Sequence, residues 1–398
     1  MDWDTLYCPN PNCFFFGTPF YRSSLVKNGT SHGQKQALCR ECATSVSLRY
    51  GTAYDHLNAD PAIFETAVRA LAEGNSLRST ARIVQIDKDS ACDWLHRAAC
   101  HARLVMLSLW HDLAVLECQL DELWSFVHTK EGHLETAKRV CDTYGDAWIW
   151  VAFAPAWRMV LAFVVGKRTQ QSANLLLERV AAVTNSAIPL FTSDQLSEYP
   201  NALLHVYGEW YQPDRNGDRG RFPEPRKRPP PDLLYAQVVK QRERGQVVAV
   251  STKVIFGEAE RLEVCLQNSP ASQSINTSFV ERENLTLRQQ NRRLTRKTNG
   301  FSKELSWLEK QLWLSLAYYH LVLPHQSLRR ELPTRQPTRG DGSEQRWQLV
   351  TPAMAAGMTK HIWTTQELLS YRVSADFLDT LTEKQNLFPD FETIHQGK

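Results

Sequence analysis

The fold class follows from residues 116–127, which read LECQLDELWSFV. Apolar and polar residues alternate along this stretch, which is typical of a β-strand. The apolar positions predict a core face formed by Leu116, Cys118, Leu120, Trp124 and Phe126. Asp121 and Gln119 fall on the opposite, accessible face. Apolar stretches of strand length also occupy 148–154, 159–165 and 188–192, with a helical pattern at 172–183. These stretches predict an α/β domain.

Three carboxylate residues lie at positions where an α/β domain can bind a metal ion. Asp121 lies on the first strand, and Asp194 follows the strand 188–192, at the edge where ligands of α/β sheets collect. Glu281 lies in a helical segment, on the same side as Asn284 and Arg288. Converging carboxylates form an oxygen-only site for a cation such as magnesium, which supports phosphoryl transfer. Each has a plainer interpretation, as a strand-edge charge, a turn former and a helix cap respectively.

Four of the nine cysteines form a cluster near the start of the chain, as Cys8-x4-Cys13 and Cys39-x2-Cys42. Four thiolates suit the tetrahedral geometry of structural zinc, which would organise a segment too small for its own core. The spacing therefore predicts a zinc-ribbon-like domain over residues 1–50. The alternative is four unrelated buried cysteines. An odd cysteine count indicates reduced thiols and not a disulfide framework.

Residues 60–109 have helical periodicity, with breaks at Gly74-Asn75 and at 85–88. Three short helices in this order predict a helix-turn-helix, whose last helix, starting near Asp89, would enter the major groove of DNA. The side chains expected to face DNA are Arg78, Arg82, Lys88, Ser90 and Arg97, with Asp93 and Trp94 beside them. The alternative is a helical hairpin whose charges are only solvated.

The overall charge hides two basic segments. The 398 residues carry 46 Lys and Arg against 43 Asp and Glu, a balance that alone argues against a nucleic-acid-binding protein. However, residues 208–231 combine six prolines with basic residues, including Arg215, Arg219 and Arg221, and predict an exposed linker before a hairpin at 235–256. The second basic segment follows Glu281 and contributes Arg288, Arg292, Arg293, Arg296 and Lys297. Few acids interrupt it, which favours contact with a phosphate backbone over a solvated helix face.

The length excludes a single small module and predicts two or three domains. No apolar run approaches the roughly 18–20 residues of a membrane span, and the first residues lack the features of a signal peptide. We therefore expect a soluble, cytoplasmic protein.

Three motifs together carry a resemblance to a known family. They are DELWSFV at 121–127, TSDQ at 192–195 and the segment from Val280 through Arg288 to Lys303. In this order, behind a cysteine cluster and a helix-turn-helix, they resemble the bacterial insertion-sequence-one family of DDE transposases. The resemblance runs from about Cys8 to Leu328. It implies an α/β ribonuclease-H-like core with a mixed sheet, in which Asp121, Asp194 and Glu281 are catalytic and bind Mg²⁺ or Mn²⁺. Glu122 and Glu283 are the neighbours that could be mistaken for them.

The sequence thus predicts a multidomain protein with four parts. These are a zinc-ribbon-like domain at 1–50, a helix-turn-helix at 58–108, a catalytic core at 112–330 with an insertion at 208–270, and a linker and helical tail at 331–398. The expected function is DNA transposition on double-stranded element ends and target DNA, by a nucleoid-associated homo-oligomer. Two alternatives stay open, a non-catalytic DNA-binding regulator and a ribonuclease-H-like nuclease without strand transfer.

Overall fold

The computed structural model describes residues 2–134, 143–215, 222–338, 342–384, 386–389 and 391. Near the start of the chain, three antiparallel strands form a small sheet: β1 (Leu25–Ser31), β2 (Gln34–Cys39) and β3 (Ser45–Ser47). Most of β1 is exposed, so its sequence carries no apolar alternation. The small core beneath this sheet contains Leu6, Leu25 and Val46, together with cysteines of the cluster.

Three helices follow at the expected breaks: α1 (Pro61–Ala72), α2 (Leu77–Val84) and α3 (Lys88–Leu109). Each begins at a side chain that accepts a backbone N–H bond, namely Asp60, Ser76 and Asp87. The third helix is long and not short, because one of its faces belongs to the main core of the molecule.

A six-stranded mixed sheet forms the centre of the molecule. Its strands are β4 (Glu117–Val127), β5 (Gly145–Ala154), β6 (Met159–Gly166), β7 (Leu190–Ser193), β10 (Tyr235–Glu243) and β11 (Gln246–Phe256). The spatial order is β11-β10-β7-β4-β5-β6. Strands β4, β7 and β10 run parallel, whereas β4-β5-β6 form an antiparallel meander and β11 is antiparallel to β10. A separate ribbon pairs β8 (Glu209–Tyr211) with β9 (Arg226–Arg228).

Helices cover both faces of this sheet. They are α4 (Gln170–Val183), α5 (Glu198–Tyr207), α6 (Ala259–Gln267), α7 (Ser278–Gln290) and α8 (Leu305–Leu321). Glu122 lies opposite Trp150 of β5, whose ring contacts Tyr199 of α5. Asp121 is on the other face, where α7 and α8 pack. Strand β4 is therefore covered on both sides.

The expected division of β4 into a core face and an accessible face is wrong in part. Leu116 is 63% exposed and precedes the strand, and Trp124 and Phe126 are only half-buried. On the face expected to be accessible, Gln119 is fully buried, because α7 covers it. Cys118 and Leu120 are in the core as expected.

The segment expected as an insertion at 208–270 contains two strands of the central sheet. Strand β10 pairs with β7, and the β10–β11 hairpin turns at Arg244-Gly245, close to where the sequence indicates. Residues 235–256 are thus not an insertion but part of the sheet. In the basic linker, Arg219 and Arg221 lie outside the described residues.

Residues 331–398 were expected to form a linker and a helical tail, but the described part packs back onto the chain. It contains β12 (Arg330–Gln336), β13 (Gln345–Gln348), α9 (Pro352–Ala355), α10 (Thr365–Ser370) and α11 (Ala375–Glu383). The Arg372 guanidinium donates to the carbonyls of Leu48 and Tyr50, at 2.8 Å each. Arg372 of the tail therefore holds the cysteine-bearing segment in place; we call these contacts the Arg372 clamp.

The boundary expected between residues 108 and 112 is not a packing boundary. One hydrophobic core runs from Ala53 through α1, α3 and the central sheet to Phe391. Gln311 of α8 also donates to the Leu71 carbonyl of α1, at 2.9 Å. The three helices are therefore fixed to the sheet domain. No helix among the described residues is long and apolar enough to cross a membrane.

Replacing Gly74 by alanine is expected to destabilise this junction. Gly74 has φ +85°, and a Cβ atom there would lie 2.6 Å from the Gln290 carbonyl oxygen at the end of α7. Gly245, at φ +84°, has no atom within 4 Å of such a Cβ, so Gly245→Ala is a matched control for backbone strain alone. In urea unfolding, we expect a loss of about 1–2 kcal/mol for the control and at least about 2 kcal/mol more for Gly74→Ala. Equal losses would contradict a close contact with α7.

Candidate functional site

Two of the expected carboxylates are neighbours on parallel strands. Leu120 of β4 pairs with Ser193, the last residue of β7, so Asp121 and Asp194 come next to each other. Glu122 joins them, and one carboxylate oxygen from each of the three lies within 4.8 Å of the others. The arrangement places three acidic groups within reach of a single cation.

Glu281 lies across the same cavity but outside that group of three. The cavity measures about 360 Å³, and its lining includes Asp121, Asp194 and Glu281. The Glu281 carboxylate forms an ion pair with Lys240 of β10 and accepts a 2.6 Å hydrogen bond from the Thr277 hydroxyl. Thus all three expected residues line one cavity, and Glu281 has a basic partner that the sequence did not reveal.

Polar contacts from β4 hold α7 against the cavity. The Asn284 side chain donates to Asp121 Oδ2 at 2.7 Å, and the Val280 amide donates to Gln119 Oε1 at 3.1 Å. Gln119 in turn donates to the buried Glu117 carboxylate at 3.0 Å. Helical spacing indicated Asn284, whereas nothing in the sequence indicated that Gln119 bonds to Val280, 161 residues further along the chain.

The charges in this cavity are not balanced. Burial, followed by the negative charges of Glu122 and Asp194, raises the pKa of Asp121 to about 7. Burial and Asp194 also raise the pKa of Glu122, against the effect of Arg168. For Glu281, burial opposes ionisation, yet Lys240 and Thr277 together lower its pKa. A cation beside Asp121 and Asp194 would relieve the repulsion between them.

The two alternative glutamates have different surroundings. Glu122 is neutralised by an ion pair with Arg168 and accepts a bond from the Tyr199 hydroxyl at 3.2 Å. Glu283 is buried beside Tyr319, and burial raises its pKa to about 8. Neither glutamate lines the cavity, but one carboxylate oxygen of Glu122 lies within 4.8 Å of oxygens of Asp121 and Asp194. Of the two, only Glu122 can share a cation with Asp121.

The four cysteines Cys8, Cys13, Cys39 and Cys42 come together at the base of the small sheet. Their sulfur atoms all lie within 4.8 Å of one another, with 3.6 Å between Cys8 and Cys42 and 3.7 Å between Cys13 and Cys39. A tetrahedron with Zn–S bonds of about 2.3 Å has sulfur–sulfur edges of about 3.8 Å. The cluster could therefore bind zinc, as expected.

Neighbouring polar groups favour thiolates at part of this cluster. The Thr44 hydroxyl is 3.2 Å from the Cys42 sulfur and is the main cause that lowers the pKa of Cys42 to about 6. Ser24 Oγ lies 3.1 Å from the Cys39 sulfur. Burial instead raises the pKa of Cys8 to about 12, so a metal would have to displace its proton.

The expected DNA-facing residues of the three helices separate into two groups. Arg78, Arg82 and Lys88 are exposed, although Lys88 pairs with Asp89 at 2.9 Å, and Ser90 is half-buried. Arg97 donates to the carbonyl oxygens of Ala53 and Asp55 and thus holds the preceding loop. Its Nη1 is therefore engaged within the chain, and contact of Arg97 with DNA stays a prediction. Trp94 is also internal, packed against Phe64.

The basic residues after Glu281 also differ in exposure. Arg292, Arg296 and Lys297 are exposed. Arg288 donates to the carbonyls of Trp124 and Leu294, at 2.9 and 2.6 Å, so it joins α7 to β4, and its contact with DNA stays a prediction. Arg293 is half-buried and donates to the Ser302 hydroxyl at 3.2 Å.

Comparison with known proteins adds no assignment. No protein-family model matches the sequence. A search of curated proteins also gives no match. The function is therefore argued from the site itself.

Proposed function

We propose that the chain is a DNA transposase of the DDE type. It would hydrolyse phosphodiester bonds at the ends of a mobile element and then join the released 3′ hydroxyl to target DNA. The observation that carries the proposal is the meeting of Asp121 and Asp194 on parallel strands, with Glu281 across the same cavity. These are the three carboxylates singled out by the family resemblance.

The topology of the sheet supports the same proposal. An antiparallel meander, β4-β5-β6, is followed by two strands, β7 and β10, that add in parallel on the other side of β4. The family resemblance implies a core with a mixed sheet, and this sheet is mixed. The parallel pairing of β4 and β7 explains why a residue in β4 and a residue after β7 reach the same point.

The acidic residues suit magnesium or manganese. Their donors are carboxylate oxygens only, and burial together with two acidic neighbours raises the pKa of Asp121, so a divalent cation fits the local charge. Asp121 and Asp194 would hold the cation, with Glu281 completing the site. Bound there, such cations lower the pKa of an attacking water or hydroxyl and stabilise the leaving oxygen.

The other residues of the cavity would position the DNA and the carboxylates. Lys240 and Arg242 line the cavity and can bind the phosphates flanking the scissile bond. Asn284 fixes one oxygen of Asp121 through its 2.7 Å bond. If the Lys240–Glu281 ion pair opened, Glu281 would be free for a cation and Lys240 for a phosphate.

The remaining parts of the chain fit a DNA-binding role. The four cysteines would hold a structural zinc, and the exposed residues Arg78, Arg82 and Lys88 would contact double-stranded DNA. A transposase joins two element ends, so we also propose that the protein assembles as a homo-oligomer on DNA, associated with the nucleoid.

A cleavage and joining assay tests this function. Labelled duplexes covering the DNA on both sides of the encoding gene are incubated with the full chain and Mg²⁺ or Mn²⁺. We expect nicking at discrete ends and transfer of those ends into a second duplex. Binding without nicking would support the regulator instead, and nicking without joining would support the nuclease.

Paired glutamine variants identify the third carboxylate. Glu281→Gln is expected to slow nicking at least about 100-fold, because Glu281 lies open in the cavity and can exchange Lys240 for a cation. Glu122→Gln, the matched control, is expected to cost less than about tenfold, because Arg168 and Tyr199 already satisfy that carboxylate. Single-turnover nicking rates at saturating metal measure both. The reverse ranking would make Glu122 the third ligand.

A further inference from the structure

A second cavity, of about 460 Å³, lies between the α1–α2 turn and the loop that follows α7. We call it the basic cleft. Residues 74–78 form one wall, and residues 291–303 form the other. Its charged lining residues are all basic, namely Arg78, Arg292, Arg293 and Lys303. Within the described part of the chain, none of these four cations takes part in an ion pair.

One buried donor in this cleft has no hydrogen-bond partner. Asn291, which follows α7, lines the cleft and is fully buried. Its Oδ1 accepts a 3.0 Å bond from the Arg293 amide, which fixes the orientation of the side chain. Its Nδ2 has no partner in the described structure. A buried donor left without an acceptor destabilises the fold, so the arrangement indicates an acceptor supplied by a ligand.

The cleft is built by elements that are held together. The backbone of Gly74 packs against the end of α7, and Gln311 of α8 joins the cleft to Leu71 of α1. Helix α2 begins at Ser76, beside the cleft, and its N-terminal N–H groups add partial positive charge. Donors from two parts of the chain therefore converge on one place.

We propose that the basic cleft binds a phosphodiester group of a DNA duplex, at a point separate from the carboxylate cavity. This inference rests on the proposed function, which makes DNA the substrate. The cations and the Asn291 amide are all donors, so together they select an anion with several acceptor oxygens. The cleft would hold the duplex between the helical segment and the sheet domain.

Measurements of duplex binding test the proposal. They use the full chain without divalent metal, over a range of salt concentrations. Asn291→Asp keeps the acceptor for Arg293 but replaces the unpaired donor by a carboxylate, and we expect affinity to fall about tenfold. Arg292→Gln should make the plot of log affinity against log salt shallower by about 0.9. Arg335→Gln removes an exposed arginine outside the cleft and should change affinity less than about twofold. Thermal unfolding shows whether each variant is folded; because Asn291 is buried, a carboxylate there can lower stability, and Arg292→Gln at an exposed residue then carries the test.

Two results would overturn the proposal. One is equal duplex affinity in Asn291→Asp, Arg292→Gln and the Arg335→Gln control. The other is a loss of affinity for inorganic phosphate in Asn291→Asp with no loss of affinity for the duplex. That result would make the cleft a site for free phosphate. If the cleft variants weaken binding but the native chain neither nicks nor joins DNA, the transposase proposal fails and the duplex site stands.

Discussion

Asp121→Asn is expected to abolish metal-dependent nicking and joining, with a rate loss of about 1,000-fold or more, while duplex binding is retained. Asp121 contributes an oxygen to the group of three carboxylates, and its Oδ2 accepts a hydrogen bond from Asn284. The amide keeps the size and can still accept from Asn284, but it removes the charge that binds a cation. Nicking of labelled duplex measures the loss, and manganese binding by the free protein gives a readout independent of activity.

The control for this variant is Asp232→Asn. Asp232 is a surface aspartate paired with Arg261, so the Asp232→Asn variant should nick DNA at the native rate. Full nicking by Asp121→Asn would remove Asp121 from the site and, with it, the transposase proposal.

The same substitution has a pH-dependent effect on stability. The pKa of Asp121 is about 7 in the fold against an ordinary 3.8, so between these values the unfolded chain releases a proton that the folded chain keeps. Stability is therefore lost as pH rises through this window, by at most about 4 kcal/mol. Without metal, Asp121→Asn should be more stable than the native chain at pH 8 and equal to it near pH 4. Urea unfolding at both values measures the difference.

The second large effect is expected from the cysteine cluster. Metal analysis of the native chain should give one zinc per molecule, and Cys39→Ser should reduce it to near zero. A structural zinc contributes about 10 kcal/mol or more to the folding of a small domain, and here the local core is small. Loss of zinc should therefore unfold residues 2–50 and open them to protease, as mass spectrometry of the fragments would show.

Cys265→Ser is the matched control, because Cys265 is exposed and lies outside the cluster. It should retain full zinc and the native cleavage pattern. Zinc-free native protein with an intact, protease-resistant segment 2–50 would contradict a structural role for metal.

The sequence predicted those features whose signals are local. The helical pattern from residue 60 and its break at Gly74-Asn75 predicted where α1 and α2 begin, and the apolar stretches around β4 and β7 place Asp121 and Asp194 at the same edge of the sheet. Features that depend on distant contacts were missed. The Lys240 partner of Glu281 depends on β10 joining the sheet, and the packing of Arg97 and Arg288 depends on carbonyls elsewhere in the fold.

The face of β4 shows the same limit within one strand. Alternation identified its two faces, but burial of Gln119 depends on α7, a helix more than 150 residues further on. The unpaired amide of Asn291 likewise becomes visible only once the basic cleft is formed.

The clamp formed by Arg372 has a consequence for how the protein is made. Arg372 is 322 residues beyond its partner Tyr50. At about 5–20 residues per second, a ribosome needs roughly 15–60 seconds to make that interval. During this time Arg372 is not yet available to the cysteine-bearing segment, which has only its small core and any bound metal to keep it folded. If that metal is zinc, as we propose, its supply during translation would raise the fraction of new chains in which the segment folds.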